Sequence, residues 1–247
     1  RGTGESDMAA IDKVRVLVVG DSGVGKTCLV HLICHNEPIH QPSSTIGCSV
    51  EVKLHEYKAG TPAEKTYFIE FWDVGGSMAH KNSRGIFYNP VHGIILVHDL
   101  TNRKSQQNLR KWLSEVLNKD SKGHHDSYDD YDPEQYAGSQ IPVLVIGTKA
   151  DSADAVREKS LSRVSAIAEE CLADELYIDC TQTKSVAAGS SNAVKISKFF
   201  DKVIERRYHT RESQASFGTP DNRRRPFSPY NSPYSNSPYS KTSFHTD

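Results

Sequence analysis

The sequence predicts an α/β fold, in which a mostly parallel β-sheet is flanked by helices. Three observations support this prediction. Short apolar runs alternate with amphipathic helical patterns, and a glycine-rich loop joins the first apolar run to the first helix. In addition, two neighbouring segments alternate apolar and polar residues on either side of a turn, as the strands of a hairpin do. Continuous apolar runs are typical of parallel strands covered by helices on both faces. The 247 residues are enough for one such domain with a tail.

The central feature is a phosphate-binding loop at residues 20–27, Gly-Asp-Ser-Gly-Val-Gly-Lys-Thr, between a strand predicted at 14–19 and a helix predicted at 26–35. Glycines in this pattern let backbone N–H groups surround a β-phosphate at a helix N-terminus. Lys26 is expected to reach the β- and γ-phosphates, and the Thr27 hydroxyl to bind Mg²⁺. The residues predicted to contact the nucleotide here are Gly23, Val24, Gly25, Lys26, Thr27 and Cys28.

The remaining elements follow in order along the chain. A β-hairpin is predicted from 49–57 and 66–72, because apolar and polar residues alternate on both sides of a turn-like segment. Buried strands are predicted at 93–98 and 141–146, where nearly every residue is apolar. Amphipathic helices are predicted at 104–118, 156–171 and 192–208.

Two segments depart from this alternation. Residues 120–140 form a polar, acidic insertion in which His124 and His125 have metal-binding chemistry, although a mobile solvated loop is the favoured interpretation. Residues 211–247 carry a Ser-Pro-Tyr near-repeat with too few aliphatic side chains to bury, so a disordered tail is predicted. Because the first methionine is Met8, residues 1–9 are expected to be a disordered or non-native leader. The folded domain is therefore predicted at 10–210.

The composition restricts the classes of function. The formal net charge of -1 gives no overall bias toward nucleic acid. The five cysteines are scattered, so neither a disulfide framework nor a zinc site is favoured, and a reducing, cytoplasmic setting is expected. No apolar run approaches the roughly 18 residues of a membrane helix. No cysteine follows Cys180, so no prenylation site is expected at the C-terminus.

Two further motifs complete a nucleotide site. At the end of the second hairpin strand, Trp72-Asp73-Val74-Gly75-Gly76 places Asp73 to hold Mg²⁺ through water and Gly76 to offer a backbone N–H to a γ-phosphate. After the strand at 141–146 comes the sequence Thr148-Lys149-Ala150-Asp151. The Asp151 carboxylate is expected to accept paired hydrogen bonds from guanine, which adenine cannot offer, while the Lys149 stem lies along the ring. The alternative role for Asp151 is a helix N-cap.

The ordered motifs GDSGVGKT, STIG, WDVGG, HGIILVHDLT and TKAD resemble those of the Ras superfamily of small GTPases, and GDSGVGK with STIG resembles its Rab branch. The resemblance covers about 14–208. It implies a P-loop NTPase G domain with a six-stranded, mostly parallel sheet that binds GTP or GDP with Mg²⁺.

The same resemblance assigns further roles. Thr45 becomes the switch I threonine, whose hydroxyl binds Mg²⁺ and whose backbone senses the γ-phosphate, and 76–89 becomes switch II. Asp179 and Cys180 take the place of the family's Ser-Ala-Lys loop, with the Cys180 N–H directed at the guanine oxygen. The catalytic groups implied are Lys26, Thr45 and Gly76.

Three departures from the family pattern affect the expected kinetics. Ser77 stands where the family has a water-orienting glutamine, so slow hydrolysis is expected. Pro38 stands where an aromatic residue commonly covers the guanine edge, so fast exchange is expected. Thr148 replaces the usual asparagine, which is expected to weaken the tether to the phosphate loop without changing base choice.

The leading functional prediction is a guanine-nucleotide switch with slow hydrolysis and fast exchange. The main alternative is a nucleotide-supported interaction module whose switches change little, and an ATP-using kinase lacks any adenine signal. The branch suggests effector or regulatory partners, homodimerisation and contact with prenylation chaperones of small GTPases. The basic cluster at 223–225 has no lipid anchor beside it, so stable membrane residence is not expected.

Overall fold

The computed structural model describes residues 12–117, 141–152 and 165–209. It contains a six-stranded sheet whose strands are β1 (Lys13–Val19), β2 (Cys48–Tyr57), β3 (Lys65–Val74), β4 (Gly93–Asp99), β5 (Val143–Thr148) and β6 (Asp174–Ile178). The strand order is β2-β3-β1-β4-β5-β6. Strand β2 is antiparallel to β3, and the other neighbouring strands are parallel. This architecture confirms the predicted fold class.

Six α-helices lie among the described residues. They are α1 (Lys26–His35), α2 (Lys81–Arg84), α3 (Arg103–Gln107), α4 (Leu109–Leu117), α5 (Ala166–Glu170) and α6 (Ser191–Ile204). Helix α1 has the predicted bounds. The helix predicted at 104–118 is divided at Asn108, whose side-chain amide donates a 2.7 Å hydrogen bond to Asp21 of the phosphate loop. The last helix ends at Ile204 and continues as a π-helical turn, Glu205–His209.

Strand β1 divides the hydrophobic core into two layers. Its residues Val14, Val16 and Val18 belong to the layer that contains the apolar faces of α1 and α6. Its residues Leu17 and Val19 belong to the opposite layer, which contains those of α4 and α5. All five side chains are fully buried, as expected for a central parallel strand covered on both faces.

Two strands differ from the sequence prediction. Strand β5 begins at Val143 rather than at 141, directly after Pro142, which has no N–H to give to a sheet. The position of β6 was not predicted because it begins with Asp174 and Glu175, which interrupt the apolar pattern. The Glu175 side chain is nevertheless buried, and it accepts a 2.7 Å hydrogen bond from the backbone N–H of Ser165.

Several predicted segments lie outside the described residues. They are the leader at 1–9, the insertion at 120–140 with His124 and His125, most of the helix at 156–171, and the tail at 211–247. The domain boundaries therefore stay predictions. In the part of the chain that is described, no helix is both long enough and apolar enough to cross a membrane.

The carboxyl ends of the five parallel strands meet at one edge of the sheet, which is the usual location of ligand sites in such folds. Most of the residues that the sequence predicts to bind nucleotide or Mg²⁺ lie in the loops that leave this edge.

Candidate nucleotide-binding site

The phosphate loop has the backbone shape needed to surround an anion. Gly23 and Gly25 adopt φ angles of 77° and 95°, in the left-handed region that favours glycine. A Cβ on Gly20 would lie 2.1 Å from the carbonyl oxygen of Val97, so no other residue fits there. Helix α1 begins directly after the loop, with no acidic residue in its first turn and no side-chain cap. Its N-terminal N–H groups and dipole are therefore available to a phosphate.

Lys26 lies buried within this loop. Its Nζ donates hydrogen bonds to the carbonyl oxygens of Gly20 and Asp21, both at 2.9 Å. Burial lowers its pKa to about 8, although Asp73 and Asp21 partly oppose the shift. A phosphate group beside Nζ would supply the negative charge that stabilises the protonated amine. The structure thus places Lys26 within the phosphate loop, and its contact with a phosphate stays a prediction.

Three oxygen-bearing side chains predicted to hold Mg²⁺ converge beside the loop. The Thr27 hydroxyl donates to Asp73 Oδ2 at 2.6 Å, and the Thr45 hydroxyl donates to the same oxygen at 3.2 Å. The two hydroxyl oxygens are 3.0 Å apart. Asp73 Oδ1 is buried, and none of the described residues makes a hydrogen bond to it. Hard oxygen ligands and an unpartnered carboxylate oxygen fit the coordination preference of Mg²⁺.

Gly76 brings the start of switch II against the phosphate loop. A Cβ on Gly76 would lie 2.5 Å from the carbonyl oxygen of Gly20 and 2.5 Å from the amide nitrogen of Ser22. The preceding Gly75 donates its N–H to the carbonyl oxygen of Gly47 at 2.8 Å. The residue directly before switch II is therefore hydrogen-bonded to the chain two residues after Thr45, the predicted switch I threonine.

The loop after β5 is connected to the phosphate loop through Thr148. This residue is fully buried, and its hydroxyl donates to the carbonyl oxygen of Val24 while lying 3.0 Å from that of His98. A hydroxyl has one proton for these two acceptors, whereas an asparagine amide has two. The predicted weak tether therefore has a structural basis, and its strength stays a prediction.

Lys149 and Asp151 are more exposed than the groups around the phosphate loop. Lys149 Nζ lies 2.7 Å from Asp99 Oδ2, and 42% of its side chain is exposed. Burial alone would raise the pKa of Asp99, but hydrogen bonds from Lys149 and Thr101 lower it below its usual value. Asp151 is exposed and accepts a 2.8 Å hydrogen bond from the Ser152 hydroxyl. Its carboxylate is accessible to a ligand.

The loop after β6 lies next to these residues. Ala150 donates its N–H to the carbonyl oxygen of Ile178 at 3.4 Å. Asp179 Oδ1 accepts hydrogen bonds from Thr181, at 2.8 Å from its N–H and at 2.6 Å from its hydroxyl. Burial raises the pKa of the Cys180 thiol to about 12, and Cys28 and Asp151 are among the neighbours that raise it further. The contacts of Cys28, Asp151 and Cys180 with guanine stay predictions.

Sequence analysis missed the side chains that support the site. Asp21 accepts hydrogen bonds from Asn108 at 2.7 Å and from the indole N–H of Trp112 at 2.8 Å, which connects the phosphate loop to α4. Asp99 holds Lys149, as described above. In switch II, Arg84 is buried and makes two hydrogen bonds to Glu115, at 2.6 and 2.7 Å. Asp99 had a signal in the sequence, an acidic residue at the end of the apolar run 93–98, whereas Asp21 and Arg84 lie in polar segments that gave none.

A phosphate loop after the first strand and a carboxylate in the loop after β5, on a six-stranded sheet of this order, place the protein in the class of P-loop G domains. The model of the Ras family matches residues 15–207. The chain therefore belongs to the Ras family, and the superfamily predicted from its motifs is confirmed.

Two similar relatives are called Rab-like protein 3. The one from Mus musculus is 56% identical over 224 residues, which cover 88% of this chain and 95% of the relative. The one from Homo sapiens is 55% identical over 224 residues, with the same coverage of 88% and 95%. A protein from Arabidopsis thaliana called small GTPase LIP1 is 43% identical over 151 residues, covering 57% of this chain and 42% of that protein.

These similarities support the coarse functional assignment. Members of the Ras family bind guanine nucleotide with Mg²⁺, hydrolyse GTP and act through regulatory or effector proteins in general. The predicted superfamily and its Rab-like character agree with the relatives found.

Proposed function

We propose that the protein is a guanine-nucleotide switch with slow intrinsic hydrolysis and fast nucleotide exchange. The observation that carries this proposal is the position of Thr45, whose hydroxyl lies 3.0 Å from Thr27 and 3.2 Å from Asp73. A nucleotide with Mg²⁺ at these oxygens would contact switch I directly. A ligand shifts a conformational equilibrium only if it interacts more favourably with one conformation than with the other. The γ-phosphate of GTP adds contacts that GDP cannot make.

The residues of the site supply charge stabilisation for hydrolysis but little positioning of water. Bound Mg²⁺ would neutralise charge that develops on the phosphate oxygens. Lys26 and the backbone N–H groups of the phosphate loop would act on the same oxygens. The Ser77 hydroxyl instead accepts a 3.3 Å hydrogen bond from the Ala79 N–H, which caps a 3₁₀ turn. We expect slow hydrolysis because the short Ser77 side chain caps this turn and has no amide group with which to orient a water molecule.

Substitution of this serine tests the hydrolysis part of the proposal. Ser77→Gln is expected to raise the single-turnover rate of GTP hydrolysis by roughly tenfold, because a misplacement of about 1 Å in a reacting group can cost about 100-fold in rate and the glutamine amide would orient the attacking water. Ser77→Ala removes the cap without supplying an amide, and Met78→Gln places the amide one residue away. Equal rates in Ser77→Gln and the unmodified protein would contradict this role.

A second function is favoured by the anchoring of switch II. The Tyr88 hydroxyl donates to Glu115 Oε1 at 2.6 Å, beside the paired hydrogen bonds from Arg84. The Arg84 guanidinium lies 4.1 Å from the ring centre of Trp112. A segment held to α4 in this way has limited freedom to respond to a γ-phosphate. These contacts support the alternative of an interaction module in which switch II changes little.

An exposed apolar surface beside both switches supports binding to other proteins. Ile46 in switch I is 82% exposed, and Ile86 and Met78 in switch II are 72% and 65% exposed. The exposed face of β2 carries two more apolar side chains, those of Val52 and Leu54, which are 49% and 58% exposed. Apolar surface of this kind is typical of interaction sites. The proposed partners are effector or regulatory proteins, prenylation chaperones and a second copy of the chain, in the cytoplasm.

Hydrogen exchange separates the two functions. The exchange rates at residues 40–50 and 76–89 are measured with GDP and with a non-hydrolysable GTP analogue. A switch predicts slower exchange in both segments with the analogue, whereas the interaction module predicts no difference at 76–89. ADP serves as the control ligand, because Asp151 selects guanine and ADP should leave both segments unchanged.

A further inference from the structure

A cluster of two histidines and one glutamate lies outside the nucleotide site. His31 and His35 are one helical turn apart on α1, and Glu51 faces them from β2. Glu51 Oε2 lies 3.0 Å from His35 Nε2 and 3.8 Å from His31 Nδ1. The three potential ligand atoms all lie within 4.8 Å of one another.

The donor set has the chemistry of a transition-metal site. Two histidines at positions i and i+4 place both imidazoles on the same face of a helix, where they bind Zn²⁺ together with a carboxylate in known sites. Ligand atoms around a tetrahedral Zn²⁺ ion are about 3.3 Å apart, given bond lengths of about 2.0–2.1 Å. The observed separations of 3.0 and 3.8 Å lie on either side of that value. Small side-chain rotations would therefore complete the site.

The accessibility of the cluster suits an ion that enters from solvent. The His35 side chain is 51% exposed, and those of His31 and Glu51 are 27% and 22% exposed. The imidazole centres are 4.4 Å apart, close enough for both rings to bind one ion.

We propose that His31, His35 and Glu51 bind one Zn²⁺-type divalent ion that clamps the C-terminal turn of α1 to β2. The segment between these elements, 36–47, is switch I and carries Thr45. The ion would join the two ends of switch I at a distance from the phosphates. Metal binding stands independently of the proposed switch function, whereas an effect of the metal on nucleotide exchange rests on that function.

The test begins with titration of Zn²⁺ into the full chain, in competition with a chromophoric chelator. One ion per chain is expected, and His35→Gln or Glu51→Gln should weaken its binding at least about 100-fold, since loss of even an outer-shell partner costs 10–100-fold. His40→Gln removes an exposed switch I histidine as a matched control and should leave binding unchanged. A joint His124→Gln and His125→Gln variant should also retain the ion.

Two outcomes would overturn the proposal. One is Zn²⁺ binding of equal affinity and stoichiometry in the unmodified protein, His35→Gln and Glu51→Gln. The other is loss of binding only in the variant that lacks His124 and His125. Thermal unfolding of nucleotide-free protein provides an independent readout, because an ion bound to the folded state should raise the midpoint by about 4 °C, and His35→Gln should abolish this rise.

Nucleotide exchange is measured separately. Zn²⁺ is expected to slow the release of fluorescent GDP several-fold in the unmodified protein and to leave release unchanged in His35→Gln. A rate that ignores Zn²⁺ in a protein that demonstrably binds it would contradict the clamp on switch I while leaving the metal site intact. Absence of GDP binding would contradict the proposed function instead.

Discussion

The phosphate end and the base end of the nucleotide site differ in burial. Lys26 and Asp73 at the phosphate end are only 5% and 2% exposed, whereas Asp151 at the base end is exposed and Lys149 has 42% of its side chain in solvent. Charged contacts are stronger where water is excluded, because the effective dielectric constant is lower. The phosphates should therefore supply most of the binding free energy, while the base end should determine which nucleotide is chosen.

The largest expected effect comes from replacing one lysine at each end. Lys26→Met should weaken both GDP and GTP binding by at least about 100-fold, because each charged hydrogen bond contributes about 1.5–3 kcal/mol and Lys26 would make more than one to phosphate. Lys149→Met should cost about tenfold or less, since its ion pair with Asp99 is partly exposed. Calorimetric titration of both variants measures the difference.

The midpoint of unfolding shows whether a loss of affinity in Lys26→Met comes from the lost contact or from loss of the fold. Removing the buried Lys26 charge also removes a desolvation cost, so nucleotide-free Lys26→Met should unfold at a midpoint close to that of the unmodified protein. Equal losses of affinity in the two lysine variants would show that binding energy is not concentrated at the phosphate end.

The pH dependence gives the next largest effect. The pKa of Lys26 is about 8 in the folded, nucleotide-free protein, against 10.5 when unperturbed. Between these values the unfolded chain holds more protons, so this group makes unfolding free energy rise with pH, and its destabilising cost is fully present only below about pH 8. Phosphate restores the protonated amine. GDP affinity should therefore fall by up to about tenfold per pH unit above that pH, with proton uptake on binding.

Calorimetry at pH 8.5 in two buffers of different ionisation enthalpy measures that uptake. Lys149→Met should retain it and Lys26→Met should lose it. Uptake that is absent from the unmodified protein, or unchanged in Lys26→Met, would assign the proton to another group.

At the base end, Pro38 gives an effect of intermediate size. Pro38→Phe should slow GDP dissociation by about tenfold, because an aromatic contact with the guanine edge contributes about 0.5–1.5 kcal/mol. The half-buried position of Pro38 is compatible with a contact there. Pro42→Phe, at an exposed position of the same loop, should leave the rate unchanged. Release of fluorescent GDP is the measurement, and a slow rate in the unmodified protein would contradict fast exchange.

Local patterns in the sequence were sufficient for the parts of the fold that short segments determine. The phosphate loop, α1 and the hairpin of β2 and β3 were predicted because glycine spacing and apolar periodicity are visible within about ten residues. Strand β6 was not located because Glu175 appears as a surface residue until Ser165 is seen to donate its N–H to the buried carboxylate. Strand β6 therefore depends on a hydrogen bond from Ser165, a residue outside the strand.

The contacts that support the site could not be predicted from the sequence, for the same reason. Asp21 and Trp112 are 91 positions apart, Asp99 and Lys149 are 50 apart, and Arg84 and Glu115 are 31 apart. No period or motif relates the members of these pairs, which are brought together by the packing of α4 against the sheet and by the pairing of β5 with β4. Most residues predicted to contact the nucleotide lie in family motifs, whereas the residues that hold them in place are determined by the tertiary structure.

The smallest expected effect concerns Thr148, which connects the two ends of the site. Its hydroxyl proton serves two carbonyl oxygens, those of Val24 and His98, whereas the amide of Thr148→Asn has a proton for each. One added hydrogen bond contributes about 0.5–1.5 kcal/mol, so GDP release should slow by about threefold. Thr148→Val keeps the shape but leaves both carbonyls without this donor, and release should accelerate. Because the change lies in the tether and not in base contacts, the preference for GDP over ADP should remain the same in both variants.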